Sequence, residues 1–85
     1  MKVLVKEVEG EGLEAFLGKV ITLFCGVYIY TGKVAGVNST YVKLEDAKIV
    51  YETGELTSSS WKDAQALPGT WYVSTQAIES FGFMK

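Results

Sequence analysis

The sequence predicts a mostly β protein: a small, strongly bent antiparallel barrel of five strands, preceded by a short helix. Three observations support this. Apolar runs follow one another between residues 17 and 51, with short turns between them. Glycines interrupt the second run, as they do where the strands of a small barrel bend. The chain has 85 residues and is 48% hydrophobic, so we expect one domain, residues 1–85, near the lower size limit for independent folding.

The first two strands are predicted from apolar runs. The first run is Val20 to Phe24, and Cys25-Gly26 follows it as a turn. Glycine accepts the positive φ that a tight reversal needs. The second run covers residues 27–37 and contains Gly32 and Gly36, which indicate a bend or a close backbone approach.

The third strand follows a second turn, Asn38-Ser39-Thr40, whose side chains are of the kind that bond to their own backbone. The run Tyr41 to Tyr51 comes next, and residues 42–45 alternate between apolar and charged. Such alternation is typical of a strand with one buried face.

Two elements are predicted before these strands. Residues 1–10 form an N-terminal extension, in which Lys2 to Val8 is expected to add an edge strand. Apolar residues at helical spacing within 13–17, followed by Gly18, predict a short helix that ends at the glycine.

After the third strand the sequence changes character. Residues 52–69 are polar and turn-prone, and they predict a variable loop or hairpin tip whose only bulky anchor is Trp61. Residues 70–73 then predict a fourth strand, 74–76 a tight corner and 77–81 a short fifth strand.

Composition limits the possible functions. Eight lysines, no arginine and ten acidic residues give a net charge of −2, which does not favour binding through neutralised phosphates. A single cysteine excludes an internal disulfide and suits a reducing compartment. No apolar run has the length of a membrane span, and Lys2 to Val8 is too short and too charged for a signal peptide. We therefore expect a cytoplasmic protein that does not associate with a membrane.

The sequence supplies little for catalysis. It contains no histidine, the usual general base and metal ligand, so Cys25 has no histidine partner. Glu45 and Asp46 are neighbours on a strand and point to opposite faces, so they do not form a catalytic pair. We expect no enzyme activity, no cofactor and no metal.

The order of elements resembles the Sm-like family, which includes the eukaryotic and archaeal Sm proteins and bacterial Hfq. The first family motif is similar to residues 32–44, in which Gly32 and Val34 match the pattern. Val37 stands where the family often has an aromatic residue, and Asn38 where it often has aspartate.

The second family motif falls on residues 73–78. Ser74-Thr75-Gln76 stands there in place of the arginine-glycine-asparagine of Sm proteins or the lysine-histidine pair of Hfq, so the positive charge of both is missing.

The resemblance implies an SH3-like barrel, the Sm-like fold, and a homomeric ring of about five to seven subunits in which the fourth strand of one pairs with the fifth of the next. It also implies binding of single-stranded RNA around the pore. The RNA-binding residues that it indicates lie in two turns: Asn38, Thr40, Tyr41, Ser74, Thr75 and Gln76.

These residues also have structural interpretations. Asn38 is a common turn former, and Tyr41 could be a half-buried strand aromatic. Ser74-Thr75-Gln76 could simply cap a tight corner. Trp61 and Trp71 could form a ligand surface, or serve in packing or in a subunit interface.

The leading hypothesis is a ring-forming, non-catalytic protein that binds U- or A-rich single-stranded RNA, with a role in RNA processing or regulation. The alternative is a structural or protein-interaction barrel that forms a homo-oligomer without binding RNA. The missing arginine and the net charge of −2 favour this alternative, and the loop around Trp61 would then be the contact surface. A third possibility is an SH3-like monomer that binds a peptide.

Overall fold

The computed structural model describes residues 12–85, and the fold there is mostly β, as predicted. Six antiparallel strands form one sheet, accompanied by two short 3₁₀ helices. The predicted N-terminal extension, residues 1–10, and its edge strand at Lys2 to Val8 lie outside the described residues.

The strands are β1 (Val20–Cys25), β2 (Ile29–Val37), β3 (Tyr41–Glu52), β4 (Asp63–Ala66), β5 (Trp71–Ser74) and β6 (Ile78–Gly82). The five strands predicted from the sequence correspond to β1, β2, β3, β5 and β6, with ends that differ by at most two residues. The predicted first helix is a 3₁₀ helix, Gly12–Phe16, and Gly18 follows it with a φ of 81°. The predicted corner is a second 3₁₀ helix, Thr75–Ala77.

The strands follow the order β4-β3-β2-β1-β6, and β5 also pairs with β3. The long β3 therefore has two partners on one edge. Its first half pairs with β5 through Val42 and Val73, and its second half pairs with β4 through Ile49 and Gln65. The sheet is not closed into a barrel, because among the described strands β6 pairs with neither β4 nor β5.

The prediction of a five-stranded barrel is thus wrong in two respects. The sheet is open, and β4 adds a sixth strand from within the predicted loop at 52–69. Asp63–Ala66 has weak strand propensity, and it becomes a strand because the second half of β3 offers it an edge to pair with.

The bend of β2 against β3 depends on Gly32. A Cβ at this position would lie 3.1 Å from the Ala47 Cα and 3.2 Å from the Glu45 carbonyl oxygen. The pairing between β2 and β3 shifts register beside Gly32. Asp46, on the facing part of β3, has a φ of 51°. The predicted close backbone approach is confirmed here. The predicted turn at Cys25-Gly26 also forms, but without a positive φ at the glycine.

The core lies between β1, β2, β3 and β5. The alternation predicted for residues 42–45 is confirmed, since Val42 and Leu44 are both 0% exposed. The buried Thr31 hydroxyl donates to the Ile21 carbonyl at 2.9 Å. The fully buried hydrophobic side chains at the centre are Ile21, Leu23, Val34, Val42, Leu44 and Ala47.

Candidate nucleic-acid interface

The two turns indicated by the sequence are joined by hydrogen bonds. The Thr75 N–H donates to the Thr40 carbonyl at 2.9 Å, and the Thr75 hydroxyl donates to the Ser39 carbonyl at 2.8 Å. The β2–β3 turn and the 3₁₀ corner between β5 and β6 therefore form one surface, although about 36 residues separate them in the sequence.

Asn38 holds the first turn in shape. Its Oδ1 accepts hydrogen bonds from the Thr40 N–H at 2.8 Å, the Thr40 hydroxyl at 2.9 Å and the Tyr41 N–H at 2.9 Å. The structural interpretation of Asn38 is therefore confirmed, and its Nδ2 is the group of the side chain left to contact a ligand.

Tyr41 is an exposed aromatic and not a buried one. Its ring meets the ring of Tyr72 edge-on, with 5.2 Å between the centroids and 86° between the planes. The two residues are 41% and 53% exposed, so the pair presents open aromatic surface to solvent. Tyr72 is not among the residues predicted from the sequence, although it is next to the buried Val73 in a strand and therefore points outward.

A lysine shares this face with the tyrosines. Lys43 is the direct cross-strand partner of Tyr72, and Tyr41 is the partner of Ser74. Directly paired residues point to the same face of a sheet, so these four side chains lie together on the outer face. Sequence reasoning missed Lys43, because its position beside Tyr72 follows only from the register of β3 against β5.

The second turn contributes two exposed side chains. Ser74 occupies the N-cap position of the 3₁₀ helix, but its side chain makes no capping hydrogen bond, so the capping interpretation is wrong for this residue. Gln76 is exposed beside it. Thr75, in contrast, is occupied by its bonds to the first turn, and its role is to hold the two turns together.

A groove of about 570 Å³ continues from this surface toward the β1–β2 turn. Four aromatic residues line it, namely Tyr28, Tyr30, Trp71 and Tyr72, together with Cys25 and Glu79. Burial, and then the nearby Glu79 carboxylate, raise the pKa of the Cys25 thiol. The thiol is therefore protonated at neutral pH, which is the less nucleophilic form.

Searches with the chain matched no protein-family model, no curated protein and no solved structure. Within residues 12–85, no cluster of three or more cysteine and acidic side chains is placed to hold a metal ion. Over the same range, no helix has the length and apolar character needed to cross a membrane. The interface is therefore interpreted from its own geometry: exposed aromatic rings, one lysine, the Gln76 amide and the Nδ2 of Asn38 beside two turns joined by hydrogen bonds.

Proposed function

We propose that the chain is a non-catalytic, Sm-like protein that assembles into a homomeric ring and binds single-stranded RNA, with a role in RNA processing or regulation. The observation that carries the proposal is the union of the two turns, through Thr75 and Thr40, beside the exposed pair Tyr41 and Tyr72. The strand order, the bend at Gly32 and the 3₁₀ corner between β5 and β6 support the likeness to the Sm-like fold.

Binding would depend mainly on stacking. A base stacked on an aromatic side chain contributes about 1–3 kcal/mol, and the stack tolerates any base sequence. The Lys43 ammonium lies on the same face and can contact a phosphate. The amide of Gln76 and the Nδ2 of Asn38 can bond to base edges, and any preference for U- or A-rich RNA would come from these contacts.

Assembly would use β5 and β6, two of the three described strands that have an unpaired edge, the third being β4. Within the described residues, β5 pairs only with β3, and β6 pairs only with β1. Each strand therefore has an edge of backbone N–H and C=O groups that another chain can pair with. If β5 of one copy pairs with β6 of the next, the contact is head-to-tail and closes into a ring when the rotation permits.

The RNA claim is tested by fluorescence anisotropy with labelled single-stranded oligo-U and oligo-A at low salt. We expect saturable binding that weakens only gradually as salt is added. The logarithm of the association constant should fall with the logarithm of the salt concentration, with a slope of about −0.7 for each phosphate contacted. Double-stranded RNA of equal length is the control, since its bases are stacked on one another and cannot reach Tyr41. An intact ring that binds neither single strand would remove the RNA claim.

The second candidate is a homo-oligomer that binds protein and not RNA. The aromatic groove favours it, because the described residues that line this groove include Glu79 and no lysine. The loop around Trp61 is less suited to capture a partner than the sequence indicated, since the Lys85 Nζ already lies 4.7 Å from the centre of the indole ring. The RNA titration separates the two candidates.

A further inference from the structure

A second cavity, of about 620 Å³, lies beside the second half of β3, whereas Tyr41 is at the other end of that strand. It is open enough for a ligand to enter and has the size of a small-molecule site. Its charged lining residues in the described chain are four lysines and two aspartates: Lys33, Lys48, Lys62, Lys85, Asp46 and Asp63.

The charge of this cavity is opposite to the charge of the whole chain. Half of the eight lysines line it, against two carboxylates, which gives the described lining a formal charge of +2 in a chain of −2. A concave surface with an excess of one charge raises the local concentration of ions of the other sign. The cavity is therefore suited to an anion.

Two of the four lysines already have partners. The Lys62 ammonium lies 3.3 Å from a Glu52 carboxylate oxygen. The Lys85 ammonium donates to the Ser60 carbonyl at 2.9 Å and to the Thr53 carbonyl. These two lysines hold the loop between β3 and β4 in place and are less available to a ligand.

Lys33 and Lys48 are different. Both are exposed, and within residues 12–85 neither forms an ion pair or a side-chain hydrogen bond. They lie on the neighbouring strands β2 and β3, where Lys48 is paired with Thr31 and Lys33 with Glu45, whose carboxylate is not within ion-pair distance of the Lys33 ammonium. Ser59 and Ser60 also line the cavity, so neutral donors accompany the ammonium groups of Lys33 and Lys48.

We propose that this cavity binds a small organic phosphate of nucleotide size, with Lys33 and Lys48 holding the phosphate. Ammonium groups bind phosphate oxygens as point charges, through short charge-assisted hydrogen bonds. The volume exceeds what a bare phosphate fills, which favours a ligand with an organic part. The site shares no residue with the Tyr41 and Tyr72 face and does not depend on RNA binding.

Isothermal titration calorimetry of the full chain with ADP, adenosine and inorganic phosphate tests this proposal. We expect ADP to bind at least about tenfold more tightly than adenosine or inorganic phosphate, since only ADP offers both parts of the ligand. The double variant Lys33→Gln/Lys48→Gln should lose at least about tenfold in ADP affinity, because two of the lysines that line the cavity are replaced by neutral side chains. Equal binding by wild type and double variant, or no binding of ADP by either, would overturn the proposal.

Lys43→Gln is the control, because it makes the same replacement of lysine by glutamine once, near the other end of β3. It should leave ADP affinity unchanged, whereas the double variant should keep its affinity for oligo-U. An equal loss of ADP binding in Lys43→Gln would show a general charge effect and would contradict a localised site. Displacement of ADP by oligo-U would also contradict it, since the cavity would then be part of the RNA path.

Discussion

Gly32→Ala is expected to lower the free energy of unfolding by about 1–3 kcal/mol, a large effect for one added methyl group. The new Cβ would lie 3.1 Å from the Ala47 Cα, 3.2 Å from the Glu45 carbonyl oxygen and 3.2 Å from the Leu44 Cβ. Two of these atoms belong to the backbone of β3 and cannot rotate away. The methyl group is therefore accommodated only if β2 and β3 move apart where they bend.

Gly36→Ala is the matched control in the same strand. Its Cβ would lie 3.7 Å from the Lys43 Cβ, an ordinary contact, and Gly36 does not have a positive φ. We expect a change within about 0.5 kcal/mol, or a small gain from the stiffer unfolded chain. Urea unfolding followed by tryptophan fluorescence measures both variants. Equal stability of the two would contradict the close approach at Gly32.

Tyr41→Ala is expected to weaken binding of single-stranded RNA by about 5- to 150-fold, the equivalent of the 1–3 kcal/mol that one stacked base contributes. The ring of Tyr41 is exposed and held edge-on against Tyr72, so it is already oriented before RNA arrives. Tyr41→Phe keeps the aromatic face and should retain most of the affinity. Anisotropy titration with oligo-U measures each variant.

The control for Tyr41 is Tyr51→Ala, which removes another exposed tyrosine, 54% accessible, from the far end of β3. Its affinity for RNA should equal that of the wild type. A comparable loss of RNA affinity in both alanine variants would mean that the effect is not local to the surface formed by the two turns. An unchanged affinity in Tyr41→Ala would remove the stacking role, provided that the variant assembles as the wild type does.

The sequence predicted those parts of the fold that depend on local pattern. The alternation at Val42 and Leu44 identified a buried face, and both residues are in the core. Gly32 in an apolar run indicated a close approach of two backbones, which the structure shows. Both features are determined by a few adjacent residues and by steric rules that hold in any sheet.

The sequence did not predict what depends on pairing between distant strands. Asp63–Ala66 is a strand only because β3 is long enough to offer a second partner an edge. The open sheet is also non-local, since it depends on where β5 and β6 lie on either side of the corner at Thr75–Ala77. Neither feature leaves a signal in the propensities of its own residues.

The candidate site could be predicted only in part, because some of its residues also become neighbours only through strand pairing. The resemblance indicated both turns, and Thr75 joins them. Lys43 and Tyr72 were missed because they become neighbours only through the register of β3 against β5. Asn38 was named as a ligand-binding residue, yet three hydrogen bonds to its Oδ1 show that its main role is to shape the turn.

The central claim is that the free edges of β5 and β6 are covered by neighbouring copies of the chain. Native mass spectrometry of the purified protein at micromolar concentration tests it most directly. The claim predicts one dominant species of about five to seven times the 9.3 kDa mass of the chain, the ring size that the resemblance to the Sm-like family implies. A lone 9.3 kDa species under the same conditions would contradict it.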